Sequence, residues 1–169
     1  MKHTISVLVE NKPGVLARVS GLFARRGFNI HSLAVGTTES PDISRMTIVV
    51  DLPERPLEHV TKQLYKLINV LKVIELEPAS CVERELMLVK VRATPDARAQ
   101  IIELVEVFRA KIVDVGTDAM TVEVSGSPDK LHAFEDLVGD RIIELVKTGR
   151  IALSRGSRSI KDRALRVAG

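Results

Sequence analysis

At Asn11-Lys12-Pro13-Gly14-Val15-Leu16 an alternating segment gives way to one of helical period, and the residues at that junction suit an anion. Upstream, Ile5, Val7 and Val9 alternate with Ser6 and Leu8 and end at Glu10; downstream, Val15, Leu16, Val19, Leu22 and Phe23 recur at helical spacing. Pro13 presets a turn, and Gly14 lets a second group approach the backbone where the helix starts. The first amides of a helix have no internal partners and sit at the positive end of its dipole. A glycine-opened start is therefore a natural cradle for a carboxylate or a phosphate. A plain strand–turn–helix connection has the same shape, and this pattern alone does not separate the two readings.

Other chemistry is sparse. There is no G-x-S-x-G elbow, P-loop, G-x-G-x-x-G or H-E-x-x-H. His3, His31, His59 and His132 are scattered, and none stands at metal-ligand spacing from a carboxylate. Glu83 and Glu85 flank Arg84, an alternation that reads as a solvated linker or strand edge before it reads as an acid–base pair. Phe23, Phe108 and Phe134 fall on buried helical faces, Tyr65 lies beside one, and Phe28 opens a strand. Core packing accounts for all five aromatics, which leaves none for a base-stacking platform.

The elements that must hold the Asn11–Leu16 turn repeat along the chain. After the first strand and helix, Arg25-Arg26-Gly27 supplies cations and a glycine stop. Strands are expected over Phe28–Val35 and around Met46, Ile48 and Val50, separated by a turn from Gly36 to Asp42; Pro53 and Pro56 end the second of them. Leu57, Val60, Leu64, Leu67, Ile68 and Leu71 form an apolar helical stripe, and Lys72–Leu76 closes the unit as a strand stopped by Pro78. The same order then returns. A strand covers Leu86–Ala93, and a helix opening at Thr94-Pro95-Asp96 buries Ile101, Leu104, Val105 and Phe108. Strands at Ile112–Val115 and Met120–Val124 flank Gly116-Thr117-Asp118. A helix opened by Ser127-Pro128-Asp129 buries Leu131, Phe134, Leu137 and Val138, and Ile142–Val146 closes the second unit. The fold class is α+β, two tandem βαββαβ ferredoxin-like units: residues 1–78, then residues 79–169, joined near Ala79–Arg84.

Composition bounds the rest. The chain has 169 residues, 45% of them hydrophobic and 28% charged, as in an ordinary soluble globular protein. Cys81 is the only cysteine, so neither an internal disulfide nor a cysteine-based metal cluster can form within one chain. No apolar run approaches membrane-spanning length, and Met1-Lys2-His3-Thr4 leads straight into a strand instead of a secretory signal, so the cytoplasm is the expected compartment. From Lys147 onward seven cations face Asp162 alone, a net +6. With +3 overall, the remainder carries −3. Such a tail can bind nucleic acid, dock on an acidic protein or simply be solvated.

The first βαββαβ unit, with its N-x-P-G-V-L turn, resembles the ACT domain, a small-molecule sensor that mainly reads amino acids. Asn11–Leu16, Arg26–Ile30, Ser44–Thr47, Val82–Glu85, Leu88–Lys90 and Leu153–Gly156 occur in one family's order, and nearly the whole chain resembles the small regulatory subunit of acetohydroxyacid synthase (acetolactate synthase). The resemblance implies a non-catalytic chain that activates the large subunit and makes it sensitive to branched-chain amino acids, chiefly valine. It implies no cofactor on this chain, with thiamine diphosphate, Mg and FAD on the catalytic subunit. It implies a homodimer with the effector between the first helix start of one ACT domain and the second strand of its partner. On that reading Gly14 and Val15 amides receive the carboxylate, Asn11 and Asn29 amide oxygens take the ammonium, Leu16 and Ile30 are candidates for the apolar wall, and Ala17 and Gly36 lie near the effector. In the usual strand order of this fold, strand two is an edge that invites pairing with a second copy.

Two other readings remain open from residues alone. One is an amino-acid-responsive regulator whose basic tail binds nucleic acid, although no helix-turn-helix is legible. The other is an acylphosphatase-like hydrolase with Arg18 at the first loop, for which the glycine-rich loop sequence is missing.

Overall fold

β1 (Lys2–Glu10) puts Ile5, Val7 and Val9 on one face, and all three are buried. The computed structural model describes residues 2–52 and 57–161. Pro53 and Pro56, and the tail residues Asp162, Arg163 and Arg166, lie outside these. Against β1 stand α1 (Val15–Arg25), β2 (Ile30–Thr37), β3 (Ile43–Asp51), α2 (Leu57–Leu64) and β4 (Val70–Glu75). The strands form an antiparallel sheet in the order β2-β3-β1-β4.

Helical spacing decides what α1 buries: Val15, Val19, Leu22 and Phe23 face Ile5, Val7, Met46 and Ile48. Each such burial is worth about 1.5–3 kcal/mol. The helix stops as its glycine requires. Gly27, at φ 69°, sends its amide to the Ala24 carbonyl and Phe28 sends its amide to that of Phe23, the paired bonds of a Schellman ending. The Phe28 ring then meets Phe23 edge-on at 6.2 Å.

Three features of the first unit differ from the sequence expectation. β2 starts at Ile30 and runs to Thr37, so Asn29 precedes the strand. α2 ends at Leu64, whereas the apolar stripe runs on to Leu71. The residues after Leu64 satisfy helical and alternating patterns alike, and pairing of Val70 with Val9 settles the competition, with Leu71 left at a bulge between Val70 and Lys72. The Tyr65 hydroxyl, which accepts from the Val73 amide at 3.0 Å, pins the reversal. Finally, β1 is buried on both faces: Thr4, Ser6 and Leu8 are buried as Ile5 is.

The second face of β1 is covered by chain from far along the sequence. The described parts of residues 1–82 and 150–169 make one compact unit, and Glu83–Gly149 makes the other: the junction falls within the expected Ala79–Arg84, while the chain from Arg150 onward, expected in the second domain, belongs to the first. The Arg150 amide donates to Ser32 Oγ at 2.8 Å, and Ala152 packs with Leu76 and Cys81. Ala152 lies in a short strand, β9 (Ile151–Ser154), which sequence reasoning passed over; β9 pairs with β5 (Cys81–Arg92). Of the residues that a count of charges reads as a basic tail, Lys147 ends the last strand of the second unit, and residues 150–161 form a strap on the first.

The second unit repeats the plan. α3 (Pro95–Val107), β6 (Lys111–Val115), β7 (Ala119–Gly126), α4 (Pro128–Val138) and β8 (Ile142–Lys147) follow β5, with sheet order β6-β7-β5-β8. Ile101, Val105, Leu131, Phe134 and Val138 form the helical side of its core, and Phe108 meets Phe134 edge-on at 5.3 Å. Leu137, expected inside, is 60% exposed because Val138 takes the inward position beside it. No helix among the described residues is long and apolar enough to cross a membrane.

Candidate functional site

Gly14 is the N-cap of α1, at φ 85° and ψ −8°, the left-handed region that favours glycine. No side chain caps the helix and no acid stands in its first turn. Among the described residues nothing accepts from the amides of Gly14, Leu16 or Ala17, while the Val15 amide reaches the Lys12 carbonyl at 3.4 Å. At this helix start the open donors are thus those of Gly14, Leu16 and Ala17, and Val15 instead contributes a buried side chain to the core. Space is open as well, since a Cβ built on Gly14 would touch nothing within 4 Å.

The turn is held from two sides. Asn11 donates from its backbone amide to the Asp42 carbonyl and from Nδ2 to the Pro41 carbonyl, each at 2.8 Å. On the other side, Lys12 Nζ pairs with Glu10 Oε2 at 2.8 Å, Asn69 Nδ2 donates to the same carboxylate at 3.0 Å, and Arg18 Nη1 donates to Asn69 Oδ1 at 2.5 Å. The Lys12 ammonium, then the Asn69 amide, hold the Glu10 carboxyl below its usual range. Arg18, a candidate phosphate ligand from sequence, spends a donor on Asn69. The signal for Asn69 was present in the chain, as a lone amide inside Leu67-Ile68-Asn69-Val70-Leu71, but its partners lie 51 and 59 residues away.

Strand register sorts the remaining candidates. Ile30 is level with Val50, and Val50 with His3, whereas Asn11 follows directly on Glu10, which is level with Ile43. From His3 to Glu10 the strand advances roughly 23 Å at about 3.3 Å per residue. Asn29 and Ile30 therefore stand at one end of the sheet, and Asn11, Gly14, Val15, Leu16 and Ala17 at the other. Gly36, opposite Arg45, lies toward the Asn11 end. One chain brings together every candidate except Asn29 and Ile30. Asn29 is exposed, and Ile30 is half-buried against the first core.

β2 is the outer strand of its sheet, and two apolar side chains stand open beside the turn's end of it: Leu16 at 44% and Val35 at 45% exposure. Val35 pairs with Met46, a residue of the core against α1, so it points to the helical side of the sheet. Nothing in the sequence marks Val35, because alternation alone makes it an ordinary inward strand residue.

The other noted groups have local partners. His3 Nδ1 meets Glu75 at 2.8 Å and Arg84 donates to the neighbouring Glu83 carbonyl, while His132, read from sequence as having no carboxylate at ligand spacing, meets Asp136 one helical turn on at 3.7 Å. Of the basic tail, Arg150 donates to Thr4 Oγ1 at 3.4 Å and Lys161 pairs with Glu39.

Comparison with known proteins gives a consistent picture. A family model described as "AHAS small subunit-like ACT domain" matches residues 5–72, and one described as "Small subunit of acetolactate synthase" matches residues 84–156. The chain is 58% identical over 159 residues to the acetolactate synthase small subunit of Mycolicibacterium smegmatis, covering 94% of each chain. It is likewise 58% identical to a probable acetolactate synthase small subunit of Archaeoglobus fulgidus, covering 94% of this chain and 99% of the other. The crystal structure of acetolactate synthase small subunit from Thermotoga maritima superimposes with a TM-score of 0.86 at 42% identity, over 94% of this chain and 99% of that one.

Proposed function

This chain belongs to the acetolactate synthase small-subunit family, with an ACT domain as its first unit, and from that premise we propose how it acts as a regulatory subunit. It activates the catalytic subunit of acetohydroxyacid synthase in branched-chain amino-acid biosynthesis and makes that enzyme sensitive to valine. Thiamine diphosphate, Mg and FAD belong to the catalytic chain, and the assembly works in the cytoplasm.

The observation that carries the effector reading is the separation of Asn29 and Ile30 from the Asn11–Ala17 turn along one sheet. Two copies paired through β2, antiparallel about a two-fold axis, set the Ile30 end of one strand against the Thr37 end of the other. Asn29 of one copy then approaches the α1 start of the other. The amides of Gly14, Leu16 and Ala17 receive the carboxylate, the Asn11 and Asn29 oxygens accept from the ammonium, and Leu16, Val35 and Ile30 wall the side chain. Two such sites form per dimer.

Magnitudes suit a sensor of a pool metabolite. Burying a valine side chain gives about 1.5–3 kcal/mol, the helix dipole about 0.3–2, and each charge-assisted hydrogen bond about 1.5–3. After the costs of ordering, a dissociation constant between about micromolar and millimolar remains. Valine bridging two chains favours one dimer geometry, and through it one state of the catalytic subunit. Calorimetric titration of valine, with and without the catalytic subunit, tests this. Saturable heat that Gly14→Asp removes is expected, and no heat in either preparation contradicts it.

A further inference from the structure

Among the described residues Arg45 is a cation without an anion. It lies on β3 with its side chain on the face of the first sheet away from the helices, as shown by its place next to Met46 of the helix-side core and opposite Leu8 and Gly36. Its Nε is buried and has no hydrogen-bond partner, and no ion pair to it occurs among the described residues. Burial pushes its pKa below the ordinary arginine value, with no neighbouring carboxylate to oppose that. Beside it, Ser6 Oγ is buried and likewise unpartnered, on a residue only 1% exposed. Leaving such groups without partners is costly.

Both residues line a cavity of about 210 Å³ closed by the strap, where Ser154, Gly156 and Arg158 complete the polar wall. A second cavity, about 440 Å³, shares Arg45; its one carboxylate, Glu39, is paired with Lys161. The smaller cavity thus holds two arginines, hydroxyl donors and no acid. Two stretches that the effector site leaves unused, Ser44–Thr47 and Leu153–Gly156, meet here. Its volume falls below the range of about 300–1,000 Å³ typical of drug-sized ligands, which favours a small ion over a nucleotide.

We propose that this cavity is a second ligand site, which takes a small oxyanion, inorganic phosphate or a short carboxylate, between Arg45 and Ser6 of the sheet and Arg158 of the strap. The bound oxyanion accepts from the guanidinium groups and from Ser6 Oγ–H, and so fastens the strap to the sheet. This site is separate from the α1 turn and does not depend on valine binding there.

The test uses the full chain, with potassium phosphate and sodium acetate as probes against chloride at matched ionic strength, read by thermal unfolding and calorimetry. At least one oxyanion raises Tm saturably above the chloride control; a response to phosphate alone, to acetate alone or to both assigns a tetrahedral, a planar or a permissive site. Arg45→Met weakens binding about tenfold or more, since it removes a charge-assisted contact, yet is no less stable than wild type in chloride because a partly buried cation with an unpartnered Nε is gone. Ser6→Ala reduces affinity without lowering Tm in chloride. Gly14→Asp, which fills the other anion-binding feature, keeps the response. Equal behaviour in oxyanion and chloride overturns the proposal, as does a full response in Arg45→Met or loss of the response in Gly14→Asp.

Discussion

Asn11 donates from Nδ2 to the carbonyl of Pro41 at 2.8 Å, and this bond fastens the turn before α1 to the turn between β2 and β3. An amide held through its nitrogen has its oxygen to offer. Asn11→Ala is expected to cost about 0.5–1.5 kcal/mol of stability by urea denaturation. It should also weaken valine binding about tenfold, a ratio that calorimetry reads directly.

Gly14 separates backbone strain from site chemistry. Gly14→Ala places a side chain at φ 85° with nothing to clash against, so its expected cost is the conformational one, about 1 kcal/mol. Gly14→Asp brings a carboxylate to the vacant N-cap, where it can satisfy the helix amides itself. Its stability should lie above that of Gly14→Ala while valine inhibition of the reconstituted enzyme disappears. Retained inhibition in Gly14→Asp would place the carboxylate site elsewhere.

Asn69 joins Glu10 to Arg18, and it is buried. Asn69→Ala leaves both charged partners short of a contact, so a loss of about 1–3 kcal/mol is expected. The pH dependence has a definite sign. Glu10 has a folded pKa below the ordinary glutamate value of 4.5, so its contribution is present above that value and is lost as pH falls through the folded pKa. The stability gap between wild type and Glu10→Gln should therefore narrow in the acid range, and a gap unchanged there would contradict the ion-paired assignment.

Val35 stands 45% exposed on the outer strand. A lysine there sets like charges near one another across a β2–β2 junction and blunts the edge. Val35→Lys is expected to shift sedimentation from dimer toward monomer with little change in the fold measured by circular dichroism. Valine binding should fall with it.

Much of this was legible in the residues, and the failures have physical causes. Alternation at Ile5, Val7 and Val9 and the period of Val15, Val19, Leu22 and Phe23 place β1, α1 and their core correctly, because local pattern and tertiary packing agree there. Leu67–Leu71 fits two periods at once, and only the pairing of Val70 with Val9 decides. The burial of Ser6 reads as a solvent face from alternation, since the strap that covers it arrives from residues about 150 positions later. The Arg18–Asn69–Glu10 contacts escaped notice for the same reason: sequence separation hides them. Asn11–Leu16 was legible as a glycine-opened helix start, while the open donors prove to be those of Gly14, Leu16 and Ala17, and the separation of Asn29 from them follows only from register.

The central claim is that each effector site takes one half from each of two chains, and subunit mixing tests it most directly. Gly14→Asp removes the turn's half and Asn29→Ala removes the strand's half, so neither homodimer should bind valine. A heterodimer of the two keeps one intact site, built from the Asn29→Ala chain's turn and the Gly14→Asp chain's Asn29. Random mixing makes about half the dimers mixed, which restores roughly a quarter of wild-type valine sites by calorimetry. Restoration of that order is the expected result; a co-refolded mixture that binds no more valine than the separate variants would contradict a site shared between chains.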